Sequence, residues 1–146
     1  MPPNPLKGEL TKLSAMAESD TLVNQLSSLG GGGGVFSKSE CIDHYTWGDD
    51  CHGWTFVDTD ALSIKQELMP PDTAEELHYH ERARQVFFIL KGRAVFTIDG
   101  KEVELREQQG IEILPLQKHL IANKQSTDLE FILYSYPSTK HDRINC

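Results

Sequence analysis

From residue 35 onward the chain alternates short β-prone runs with turn residues. The runs are Trp54 to Val57, Ala61 to Leu68, Leu77 to His80, Gln85 to Leu90, Arg93 to Ile98, Lys101 to Leu105, Ile111 to Leu114, Lys118 to Ala122 and Leu129 to Tyr136. Runs this short and this closely spaced predict an all-β sandwich or barrel rather than alternating strands and helices. Asp99-Gly100 supplies the positive φ angles of a two-residue hairpin, so 93–98 and 101–105 are expected to pair antiparallel. Pro70-Pro71, Gly92 and Gly110 mark further breaks, and the remaining length suits about eight to ten strands of ordinary size.

The pattern before residue 35 is different. Leu6, Leu10, Leu13, Met16, Leu22, Leu26 and Leu29 recur mostly at three- and four-residue spacings, which predicts one or two short amphipathic helices, with Asp20 capping the second. Gly30 to Gly34 follow without interruption, a stretch that no helix or strand interior favours, and they read as a linker. The expected organisation is a helical or disordered appendage over residues 1–34 and a barrel domain over 35–146.

Composition narrows the function classes. The 146 residues hold 14 Lys and Arg against 22 Asp and Glu, a net charge of −8, with no basic stretch of the kind that phosphate backbones or anionic lipids require. The longest apolar run, Val86 to Leu90, is far short of the roughly 20 residues of a membrane-spanning helix. Neither nucleic acid nor membrane is therefore expected as a partner. Cys41, Cys51 and Cys146 are too few and too scattered for a disulfide framework, and the first residues lack an export or transit pattern, so a cytoplasmic setting is the expectation.

Chemistry concentrates in the middle of the chain. His78 and His80 are one residue apart in a β-prone run, which places both imidazoles on one face. Gln85 leads an otherwise apolar face shared with Phe87 and Ile89, where a polar group needs a partner. His119 lies in a later short run after Pro115. Three imidazole nitrogens and one amide oxygen form a borderline-hard donor set suited to Zn, Mn, Fe, Co or Ni. His44, His52 and His141 lack such partners, unless Cys41, His44, Cys51 and His52 make a zinc knot. No Ser-His-Asp arrangement, phosphate loop or nucleotide fingerprint is present.

These residues also carry a family resemblance. His78-x-His80, then Gln85, then Gly92 resembles the first signature of the cupin superfamily, and Gly110, Pro115, His119 and Asn123 resemble the second, over roughly Leu62 to Pro137. The resemblance implies a jelly-roll, or double-stranded β-helix, barrel of two antiparallel sheets. It also implies a divalent metal at the barrel mouth, held at the positions of His78, His80, Gln85 and His119. Two departures stand out: Gln85 occupies a position that usually holds Glu, and the second signature usually has a Gly near Gln117 with longer spacing between Gly110 and Pro115. A neutral ligand leaves the ion its full charge, which lowers affinity and raises Lewis acidity.

Three functional readings follow. The first is a metal-dependent enzyme that isomerises, epimerises or ring-opens a sugar-like or carbonyl compound, with a nearby Tyr or Glu moving a proton. The second is an iron- or nickel-dependent dioxygenase, and the third a barrel that binds a small molecule without turnover. Candidate polar groups beside the metal are Tyr79, Gln66 or Glu67, Arg84 and Tyr134, and the alternation of Leu62, Ile64 and Leu68 favours Gln66 inside. Small cupins resemble one another in pairing as homodimers through sheet edges, so a homodimer is also expected.

Overall fold

A computed structural model describes residues 34–146; the predicted helices of residues 6–29 and their Asp20 cap lie outside the described residues. Cys41–Cys146 is one compact unit and contains every described strand. The strands are β1 (Asp43–Trp47), β2 (Cys51–Asp58), β3 (Ser63–Met69), β4 (Thr73–Ala74), β5 (His78–Tyr79) and β6 (Arg84–Lys91). They continue with β7 (Ala94–Ile98), β8 (Lys101–Leu105), β9 (Gly110–Ile113), β10 (His119–Asn123), β11 (Leu129–Tyr136) and β12 (Ile144–Asn145).

Two sheets result, in the orders β1-β2-β3-β11-β6-β9 and β12-β5-β10-β7-β8, with β4 pairing β10, and every pairing is antiparallel. The all-β jelly-roll expectation is met. The Asp99-Gly100 turn forms as read: both residues have positive φ, 48° and 82°, and Ile98 pairs with Lys101. The expected runs all appear as strands. To them are added β1, whose five residues DHYTW are mostly polar, and the two-residue strands β4 and β12, too short to leave a periodic signal.

Between the sheets sits the apolar core, in which Phe96, Phe131, Met69, Ile89, Ile113, Ile121 and Leu129 are fully buried. Phe87 of one sheet meets Phe96 of the other edge to face at 5.0 Å, so rings from both sheets interlock below the histidines. Asn123 closes this layer at the end of β10. Its buried amide donates to the carbonyls of Met69, Pro70 and Thr127 at 2.9, 3.2 and 2.8 Å and so ties β10 to the end of β3. Among the described residues no helix is long and apolar enough to cross a membrane.

Candidate metal centre

The short strand β5 lies between β10 and β12, with His78 opposite His119 on one side and Asn145 on the other. This register brings His119 beside the His78-x-His80 pair, although about forty residues of chain separate it from that pair. Ring centroids are 4.3 Å apart for His78 and His119, 5.0 Å for His78 and His80, and 5.6 Å for His80 and His119. All three are buried, and a nitrogen from each lies within 4.8 Å of the others. Gln85 enters from β6 of the facing sheet, so both sheets contribute to one point.

Backbone carbonyls orient each imidazole. Nδ1 of His78 donates to the Glu76 carbonyl at 2.8 Å and Nδ1 of His119 to the Gln117 carbonyl at 2.8 Å, each within its own local turn. Nδ1 of His80 donates to the carbonyl of Asp142, far along the chain. With the proton held on Nδ1, each Nε2 presents a lone pair. Nε2 of His80 is buried without a hydrogen bond, although the Gln85 amide lies beside it.

The Gln85 amide N–H donates to the Ser135 hydroxyl at 3.1 Å, which directs its oxygen toward Nε2 of His119, also at 3.1 Å. Two acceptors facing each other repel unless a cation lies on both. Adjacent ligands around one ion, with bonds of about 2.1 Å, stand about 3 Å apart. Turning the amide over would satisfy His119 without an ion; in the orientation present, His119 Nε2 faces an acceptor and His80 Nε2 has no partner. The donor set therefore fits a divalent ion.

Burial is the main influence on these rings: it lowers His78 from 6.5 to about 3 and pushes His80 and His119 down as well. All three are neutral at pH 7, the state that can ligate. Since the folded values lie below the unfolded ones, the unfolded chain binds more protons in the interval between them. Stability is then full above the unfolded value of 6.5 and falls as pH drops toward the folded value of about 3. Urea titrations of the metal-free protein should show the midpoint falling between about pH 7.5 and about pH 5, and falling less steeply in His78→Gln. An unchanged wild-type midpoint would contradict neutral buried imidazoles.

A cavity of about 550 Å³ opens beside His78, His80 and Gln85. Its wall includes Glu67, whose carboxylate accepts the Tyr45 hydroxyl at 2.6 Å, together with Lys65, Glu75, Phe87 and Arg143. Burial raises Glu67 above the usual carboxylate range and pushes Glu75 up to about 8, helped by the nearby Glu67 charge. Gln66, Tyr79 and Tyr134 are not on this wall. The reason is strand phase. On β3 the cavity-facing positions are Lys65 and Glu67, so Gln66 shares the opposite face with Ile64 and Leu68, and the preference for Gln66 inside is corrected to Glu67. Tyr79 alternates with the inward His78 in the same way, and Tyr134 alternates with the cavity-lining Leu133 and meets Tyr136 at a tilt, with ring centroids 5.0 Å apart. Arg84 pairs with Glu112 at 3.4 Å, where both side chains are half-exposed.

The zinc knot does not form. His44 and His52 meet at 3.1 Å, but the buried Cys51 alternates to the other face of β2, and among the described residues only His78, His80 and His119 gather at ligand spacing. Several residues on or behind this wall had no role assigned from the sequence: Tyr45, Lys65, Glu75, Asp142 and Arg143. Gly53 was the available signal for Tyr45. A glycine inside a strand marks a close approach, and here Tyr45 of β1 crosses directly over it to reach Glu67 of β3.

Residues 65–135 match the family described as the Cupin domain. The chain is 29% identical over 80 residues to an uncharacterized protein of Methanocaldococcus jannaschii, covering 55% of this chain and 64% of that protein. It is 34% identical over 64 residues to an oxalate-binding protein of Thermotoga maritima, covering 44% of this chain and 53% of that one. The matches thus span less than two thirds of either relative. The crystal structure of a predicted oxalate decarboxylase from Thermotoga maritima superposes with a TM-score of 0.64 at 24% identity, over 71% of this chain and 99% of that one, a likeness in fold.

Proposed function

Because the chain belongs to the cupin superfamily, we propose that it is a divalent-metal-dependent cupin acting on a small oxygen-rich molecule held in the cavity beside His78, His80, Gln85 and His119. The observation that carries this reading is the three-carbonyl lock on Nδ1: it points three neutral Nε2 lone pairs at one place and leaves His80 Nε2 buried and unpaired. When bound, such an ion supplies Lewis acidity toward a ligand oxygen. Glu67 is the group placed to hold or move a proton, because burial keeps its carboxyl above the ordinary range and Tyr45 fixes its orientation. Isomerisation, epimerisation or ring opening of a carbonyl compound needs such a proton shift.

A second reading, ligand binding without turnover, is favoured by the relative that is named for binding oxalate. The two separate in one experiment. Protein loaded in turn with Mn(II), Fe(II), Co(II), Ni(II) or Zn(II) is incubated in heavy water with small sugars, hydroxy acids and keto acids and followed by proton NMR. The enzyme reading expects metal-dependent deuterium exchange or a new product, abolished by chelation and reduced about 10²- to 10⁴-fold in Glu67→Gln. Saturable binding with every spectrum unchanged would replace it with the binding reading.

A further inference from the structure

The cavity holds two cations that the metal chemistry does not use. Lys65 projects from β3 two residues before Glu67, and Arg143 precedes β12 on the segment that closes the opposite side. Among the described residues neither has a carboxylate within ion-pair distance, although Glu67, Glu75 and Glu76 line the same cavity. These carboxylates are otherwise engaged or peripheral: Glu67 accepts the Tyr45 hydroxyl, Glu75 accepts the Ile121 N–H at 3.2 Å, and the exposed Glu76 sits at the rim. Arg143 is itself exposed at the cavity and, among the described residues, is held from one side only. Its Nε donates to the Asn145 amide oxygen at 2.9 Å, which steadies the guanidinium and leaves both terminal nitrogens as a planar fork. Lys65 lies over the Tyr45 ring, 5.4 Å from its centre.

The geometry points to a carboxylate subsite: Arg143 and Lys65 take the carboxylate of a small organic acid, while a second oxygen of the same molecule faces the histidine centre. A fork matches the two oxygens of a carboxylate, and an ammonium adds charge without demanding geometry. This makes the ligand a hydroxy, keto or dicarboxylic acid rather than a neutral sugar. The assignment of its second oxygen rests on the metal reading above; the carboxylate contact does not.

Calorimetric titration of Mn(II)-loaded and metal-free protein with two matched pairs tests this: pyruvate against hydroxyacetone, and glycolate against ethylene glycol. Each pair differs in whether a carboxylate is present. The acids should bind at least about 10-fold more tightly than their neutral partners, and Arg143→Gln and Lys65→Met should each weaken acid binding about 10- to 100-fold while leaving the neutral compounds unaffected. Arg143→Lys, which keeps the charge and loses the fork, should fall between, and thermal melting identifies any variant that has simply lost its fold. Equal binding of acid and neutral partners, or acid binding indifferent to both substitutions, would overturn the subsite. Failure to retain Mn(II) would count against the metal reading alone, since the metal-free arm still compares acid with neutral ligand.

Discussion

Asp142→Ala is expected to lower stability by about 2–4 kcal/mol and to weaken divalent-ion binding about 10- to 100-fold. The side chain is 5% exposed, and its carboxylate accepts three consecutive backbone N–H groups, from Glu81, Arg82 and Ala83, at 2.8, 3.0 and 2.9 Å. Those residues turn the chain from His78 of β5 and the following His80 into β6, where Gln85 stands. The carbonyl of the same residue holds His80 Nδ1. One residue near the end of the chain therefore fixes both the turn between two ligands and the orientation of one of them. Removing the carboxylate strands three donors, of which the buried Ala83 N–H costs most, because water does not replace its partner there.

The pH dependence identifies this mechanism. Burial works against ionisation of Asp142, but the three N–H donors outweigh it and hold the carboxyl below the usual value of 3.8. A lowered folded value stabilises above the unfolded value, and that stabilisation is lost as pH falls through the folded one. Thermal melts in mild acid should thus show a steeper loss below about pH 4 in the wild type than in Asp142→Ala, with Asp142→Asn intermediate in stability at neutral pH. Equal neutral-pH stability of wild type and alanine variant would refute the account of this carboxylate.

Gly53→Ala is expected to cost about 1–3 kcal/mol by expelling Tyr45 from its place. A β-carbon at Gly53 would stand 2.0 Å from Cζ of Tyr45 and 2.4 Å from its Cε2 and hydroxyl oxygen, so the ring has to leave. Its departure takes the hydroxyl from Glu67 and leaves that carboxyl short of a donor on the cavity wall. A double-mutant cycle isolates the cause. In a Tyr45→Ala background the same Gly53→Ala change should cost under about 0.5 kcal/mol by chemical denaturation, because nothing remains to displace. Equal penalties in the two backgrounds would show that the glycine serves only its own strand.

Much of the fold was legible because short alternating runs and the Asp99-Gly100 dipeptide constrain pairing locally. His78 and His80 share a face for the same local reason, and His119 and Gln85 were placed by their positions relative to the two signatures. What escaped reading was set by contacts between distant strands. β3 shows this well: its alternation carries Ile64 and Leu68 on one phase, and apolar residues ordinarily mark the inside, but here the inner phase is Lys65 and Glu67 because a polar cavity lies there. The role of Asp142 depends on a turn some sixty residues earlier, and that of Tyr45 on reaching across an intervening strand. Neither leaves a periodic trace.

Metal content tests the histidine centre most directly. Purified protein, depleted with chelator and reloaded under anaerobic conditions with Mn(II), Fe(II), Co(II), Ni(II) or Zn(II), should retain about one ion per chain by elemental analysis after desalting. The His78→Ala, His80→Ala variant, folded by circular dichroism, should retain none. A wild-type protein that keeps no stoichiometric ion under any of these loadings, or a variant that keeps as much as the wild type, would contradict the metal reading.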